Sequence, residues 1–198
     1  MHGANDGLVS TASLIVGVAA ASASTGEILV AGTAGLVAGA MSMAASEYVS
    51  VSSQSDSEAA NLAREKKELT EKPELELKEL EGFFVARGVT QQTAIDVARQ
   101  LTAKDALDAH AREELGISKH NTARPIQAAL TSALTFVVGA VLPLVIVLIV
   151  PLADLIFSVT ASTLVGLAIL GALGAKVGRA NIMKAMLRVT FWGAIAMA

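Results

Sequence analysis

The sequence predicts an all-α polytopic membrane protein, with five transmembrane helices and an acid-rich cytoplasmic helical module between the second and third. Three observations carry that expectation. Uncharged apolar runs occupy residues 7–26, 28–46, 125–151 and 155–175, and a fifth begins at Val189; a run of ~20 residues is enough for a helix to cross a ~30 Å hydrocarbon core. Fourteen of the eighteen acidic residues lie between Asp56 and Glu114, a polar island between stretches that carry almost no charge. The composition is 53% hydrophobic with a mean hydropathy of +0.57, more apolar than soluble domains usually are. The expected divisions are residues 1–50 for helices 1 and 2, 51–122 for the module, and 123–198 for helices 3 to 5.

Several function classes fall away at this stage. There is no cysteine, so thiolate metal sites and cysteine catalysis are excluded. A net charge of −3 with no basic, aromatic-interleaved stretch argues against nucleic acid. No Ser/His/Asp constellation, phosphate-cradling loop or metalloprotease helix motif points to an enzyme. The opening Met1-His2-Gly3-Ala4-Asn5-Asp6 lacks the basic region of a secretory signal. That abrupt start, and a last run of only ten residues from Val189 to Ala198, lead us to expect truncation at one or both ends.

All fifteen Lys and Arg residues fall between Arg64 and Arg124 or among Lys176, Arg179, Lys184 and Arg188. The positive-inside rule makes both segments cytoplasmic, and the connections near Glu27 and Asp154 face out. The N-terminus and residues 51–122 are then inside. Asp6 and Glu47 come to similar depth at the inner ends of helices 1 and 2, with Met43 one turn before Glu47. Carboxylates and a thioether at one depth suit a cation site; the alternative is that Asp6 caps the first helix, Glu47 sits at the interface and Met43 packs. Gly32, Gly35, Gly39, Gly166, Gly171, Gly174 and Gly178 suit close helix packing. Pro143 is expected to kink or locally open the third span.

In the island, the second span is expected to continue as a polar helix to about Lys72, where Pro73 interrupts it. A helix from about Glu74 to Arg87 should end at Gly88. Thr90 is a plausible N-cap for the next, whose Ala94, Ile95, Val97, Ala98 and Leu101 suggest one buried face. A short helix from Lys104 to Leu115 should close at Gly116. Glu65 with Glu68, and Glu76 with Glu79, are i, i+3 pairs whose like charges repel unless a cation lies between them. His110 and Glu114, at i and i+4, can complete an oxygen and nitrogen cage for a divalent ion. The competing account is a solvated helix with ion pairs such as Arg64–Glu68, Glu68–Lys72 or Glu74–Lys78, and it leaves Glu58, Glu71, Glu81 and Glu113 simply solvated. His2 and His120 are lone histidines with no companion donors.

Three stretches carry a resemblance: Asn5-Asp6-Gly7-Leu8-Val9-Ser10-Thr11, Ser42-Met43-Ala44-Ala45-Ser46-Glu47-Tyr48-Val49-Ser50, and Arg112-Glu113-Glu114-Leu115-Gly116-Ile117. Together they resemble the vacuolar iron transporter family, which includes a yeast vacuolar iron and manganese importer and plant nodulin-like proteins. The resemblance implies a homodimeric proton-coupled antiporter that removes Fe²⁺ or Mn²⁺ from the cytosol and carries no prosthetic group. Its partners would be metal ions, protons and membrane lipid. It places Asp6 and Met43 in the transmembrane pathway, with Glu47 in the same motif and read as the third pathway residue, and Glu65, Glu68, Glu76, Glu79 and Glu114 in the cytoplasmic module. Where relatives have two methionines, this chain has His110 and Ala111, which replaces soft sulfur by one nitrogen ligand. Where some relatives have a pathway glutamate, this chain has Gly35, which bears on proton stoichiometry. The absence of an organellar targeting extension favours a bacterial plasma membrane. The rival function is a non-transporting membrane-anchored metal sensor or storage protein, for which Asp6 and Glu47 would be unnecessary.

Overall fold

The computed structural model describes residues 2–117 and 123–197, and His120 lies outside them. Among the described residues the chain is helical throughout: α1 (His2–Ala20), α2 (Thr25–Glu71), α3 (Pro73–Ala86), α4 (Gln91–Glu113), α5 (Pro125–Ile149), α6 (Leu152–Val177) and α7 (Ile182–Met197). They form two compact units. One comprises residues 1–48 and 125–198, the other residues 49–124.

In the first unit α1 packs against α5 and α6, and α6 against α7. Its core gathers Ala12, Ile15, Ile28, Val147, Leu155 and Val159. The tightest approach is between α1 and α5. A Cβ on Gly7 would overlap the Phe136 carbonyl, and one on Gly139 would overlap the Ala4 carbonyl, so these two glycines let the backbones touch. Neither is among the glycines to which sequence spacing assigns packing. Gly32, Gly35 and Gly39 face side chains of Leu144 and Ile15, of Leu14, and of Phe136.

α2, α5 and α6 are long and apolar enough to cross a membrane. Large apolar side chains such as Val30, Val138 and Phe157 face outward, as hydrocarbon surroundings require. This is an integral membrane protein. α1 opens on the polar His2-Gly3-Ala4-Asn5-Asp6, and α7 has 16 residues, so neither meets the same measure of length and apolarity. α7 begins well before the expected Val189 because the Asn181 side chain caps it, accepting from the Lys184 N–H at 3.0 Å. α5 runs on through the buried Pro143 to Ile149; a membrane helix tolerates the lost donor when its neighbours enclose it.

Ser24 and Glu27 form a reciprocal cap at the start of α2, in which the Ser24 N–H and hydroxyl both donate to Glu27 Oε2 at 2.7 Å. α2 then continues unbroken for 47 residues, because no proline or glycine intervenes between Gly39 and Glu71. Residues 25–48 belong to the first unit and 49–71 to the second.

In the second unit Pro73 occupies the first turn of α3, where its missing N–H is not needed. Gly88, at φ +90°, ends that helix in a left-handed turn. Thr90 caps α4, accepting from the Thr93 N–H. The expected division near Lys104 takes the form of a break at Asp105, whose backbone is non-helical and whose carboxylate accepts from the Asp108 N–H at 3.0 Å, restarting the helix. α3 packs on α4 around a small core of Leu80, Ala98 and Ala109, with Leu77, Phe84 and Leu101 against it. So little apolar burial leaves this unit sensitive to what its polar groups do.

Candidate metal centre

α2 delivers Glu65, the first turn of α3 delivers Glu76, and the second half of α4 delivers His110. Their ligand atoms all lie within 4.8 Å of one another, and all three side chains are buried. His110 Nδ1 is 3.0 Å from Glu65 Oε1 and 3.6 Å from Glu114 Oε2. These contacts are close but lack hydrogen-bond geometry: both Glu65 oxygens, both His110 nitrogens and Glu114 Oε2 are buried without a partner. A native interior rarely leaves five such atoms unpaired.

Burial pushes the Glu65 carboxyl above the usual carboxylate range. The charges of Glu114, Glu76 and Glu68 push it further, against an opposing pull from His110. Glu76 is raised in the same way, by burial first and then by Glu79, Glu68 and Glu114. A divalent ion bound among these groups would offset both the burial and the mutual repulsion of the carboxylates. With bonds of about 2.0–2.2 Å it separates its donors by about 3–4 Å, so the observed cluster needs only small side-chain movements to close on one.

The i, i+3 pairs are split by the fold. Glu65 and Glu76 turn inward, whereas Glu68 is 3.8 Å from Arg64 and Glu79 is exposed. Glu68 and Glu79 therefore stand at the rim of the cluster. Of the ion pairs suggested by spacing, Arg64–Glu68 is present, and Lys67–Glu71 at 3.8 Å accompanies it. Glu113 is not merely solvated, because it pairs with Arg87 and ties the end of α3 to the end of α4. No pattern along one helix announces a partner 26 positions away.

The first unit holds a separate cavity of about 530 Å³. Asp6, Ser10, Thr11 and Ser13 of α1 line it together with Gly35, Gly39, Ser42 and Met43 of α2 and Phe136 of α5. Asp6 lies inside α1, which begins at His2, and is no cap. Glu47 is exposed and off the cavity lining. The structure thus brings Asp6 and Met43 together without Glu47. It adds hydroxyls that sequence spacing did not single out, and those of Thr11 and Ser13 are buried and unpartnered. Period alone offers a signal for Ser10 and Ser13, which follow Asp6 at i+4 and i+7 on one face.

Comparison with known proteins gives a consistent result. The VIT family profile matches residues 1–198. The vacuolar iron transporter of Acanthamoeba castellanii is 48% identical over 197 residues, covering 99% of this chain and 72% of that one. Vacuolar iron transporter homolog 1 of Oryza sativa subsp. japonica is 39% identical over 197 residues, covering 99% and 67% respectively. Vacuolar iron transporter 1 of Arabidopsis thaliana is 31% identical, covering 99% and 80%. The chain belongs to the VIT family, whose members are iron transporters and not enzymes.

Proposed function

We propose that this chain is a proton-coupled antiporter that exports Fe²⁺ or Mn²⁺ from the cytosol, working as a homodimer of five-span subunits. The observation that carries the reading is the shared cavity of Asp6 and Met43 in the membrane-spanning unit. A carboxylate and a thioether facing one space, with hydroxyls around them, can take a partly hydrated divalent ion. The related proteins are named iron transporters, which supports iron as the cargo.

In this scheme residues 51–122 are cytoplasmic and gather the ion at Glu65, Glu76, His110 and Glu114, with Glu68 and Glu79 drawing cations towards them. The ion then occupies the Asp6 and Met43 cavity, Glu47 serving nearby on the same helix as Met43. Protons arriving from the opposite side neutralise the carboxylates and release the metal. The apolar part of α2 leaves most of its surface uncovered in the single chain, which suits a second subunit or lipid against it. The buried module by itself would also serve a membrane-anchored sensor or store. A bacterial plasma membrane remains the proposed location.

Uptake into proteoliposomes separates the two readings. The transporter predicts Fe²⁺ flux that a pH gradient accelerates, and Asp6→Asn should reduce it by at least about a hundredfold, equivalent to roughly 3 kcal/mol, in protein that still elutes as a single folded species. Gradient-independent leakage, or wild-type flux through folded Asp6→Asn protein, would refute it.

A further inference from the structure

We propose that His110 Nδ1 sets which metal the module accepts, favouring the borderline ions Fe²⁺, Co²⁺, Ni²⁺ and Zn²⁺ over the hard ions Mg²⁺, Ca²⁺ and Mn²⁺. The inference rests on reading the module as a metal site and adds its selectivity. Residues 49–124 contain no methionine or cysteine. Among the described residues of that unit, His110 is therefore the only donor that is neither a hard oxygen nor a lysine amine. A cage of carboxylates alone suits Mg²⁺, Ca²⁺ and Mn²⁺, whereas one imidazole shifts a site towards Fe, Ni and Zn.

The position of the ring argues that it meets the ion. His110 is fully buried, and a structural histidine in such a place normally gives a ring N–H to a well-aligned acceptor. Here neither nitrogen has one. Nδ1 instead sits between Glu65 Oε1 and Glu114 Oε2, at 3.0 and 3.6 Å, with Glu76 completing the group from α3. Burial adds a second filter. An ion entering this enclosed space must shed water, which Mg²⁺ does reluctantly, and the nitrogen bond compensates borderline ions more than hard ones. Mn²⁺ is lowest in the divalent series at oxygen and nitrogen sites alike, and the imidazole widens its disadvantage.

The test uses the full chain in detergent, titrated anaerobically with Fe²⁺, Co²⁺, Mn²⁺ and Ca²⁺. Wild-type protein should bind Fe²⁺ and Co²⁺ at least about tenfold more tightly than Mn²⁺, the order of the divalent series widened by the imidazole. His110→Asn places an oxygen near the Nδ1 position and should weaken Fe²⁺ and Co²⁺ more than Mn²⁺ and Ca²⁺, shrinking the gap to within about threefold. Pulsed EPR of Mn²⁺-loaded wild-type protein should show a nitrogen hyperfine coupling, which tests ligation by the ring even if the variant does not fold. Metal bound without that coupling, or with equal Fe²⁺ and Mn²⁺ affinity, overturns the inference and leaves the metal site standing. If wild-type protein binds no metal, or Glu65→Gln/Glu76→Gln protein binds it as well as wild type does, the module reading fails and the selectivity proposal fails with it.

Discussion

The two acid-bearing regions of this protein treat carboxylates in opposite ways. In the module, Glu65 and Glu76 are buried and Glu65 has no hydrogen-bond partner, whereas Asp6 is exposed to a cavity of about 530 Å³ beside hydroxyls. A coordination shell of six waters occupies about 180 Å³ at ~30 Å³ each, so the cavity can admit a hydrated ion. The module cannot discharge its buried acids without protons or metal. The cavity leaves the Asp6 side chain exposed. Tight, dehydrating capture and loose, hydrated passage are different tasks, and the contrast between these sites matches the contrast between those tasks.

The largest effect should come from removing the module's buried charge. Glu65→Gln/Glu76→Gln protein should lose metal affinity by at least about a hundredfold, because two ligands go at once. Without metal, it should be better protected than wild type, since two desolvated like charges have been neutralised. Hydrogen exchange over residues 60–115 reads both. In wild-type protein, metal at a hundred times Kd should slow exchange by about a hundredfold, the equivalent of ~2.7 kcal/mol. In the double variant the same metal concentration should slow exchange by no more than about twofold. If Asp6→Asn altered exchange in the module as strongly, the two regions would not be separable in this way.

Much of this contrast is legible in the sequence, and its limits are physical. Charge segregation and apolar runs give the α class and the acidic insert, and Pro73, Gly88 and Gly116 mark three of the module's boundaries because each acts on the local backbone. Which glutamate of each pair turns inward is not legible: Glu65 and Glu68 lie on the same helix face, and only the placement of α3 and α4 chooses between them. The Arg87–Glu113 pair and the Gly7–Gly139 contact are likewise tertiary. The Ser24 cap is written in the sequence as a Ser-x-x-Glu pattern, a local signal embedded in a stretch that the apolar run dominates.

A smaller effect should appear on changing pH without metal. The folded-state pKa values of Glu65 and Glu76 are raised, burial being the main cause for each. A carboxyl raised on folding adds stability that is fully present below its unfolded value, near 4.3, and that stability is lost as pH climbs through the raised folded value. Metal-free protein should therefore lose protection in the module as pH rises from about 4.3 through the raised folded values. Saturating metal should reverse the slope, because deprotonated ligands bind it. Protection that is flat with pH in the metal-free protein would mean that the two carboxyls are not desolvated in solution.

The smallest effect should come from the rim. Glu68 is partly exposed beside Arg64, and Glu79 is exposed, yet both act on the buried acids through their charge. If they attract the cation without binding it directly, their influence passes through solvent and salt should screen it, with a Debye length of about 10 Å at 0.1 M and 3 Å at 1 M. Glu68→Gln/Glu79→Gln protein should then bind metal only about two- to tenfold more weakly at low salt, in keeping with the ≤ ~1 kcal/mol typical of exposed charge interactions, and should converge on wild type in 1 M salt. The loss from Glu65→Gln/Glu76→Gln should persist at every salt concentration, since bonds to the ion are not screened. Titration of both double variants across a salt series makes the comparison directly. A loss in the rim variant that is as large as in the buried one, and equally indifferent to salt, would show that Glu68 and Glu79 swing inward to ligate the metal, and the inner and outer members of each pair would then have to be treated as equals.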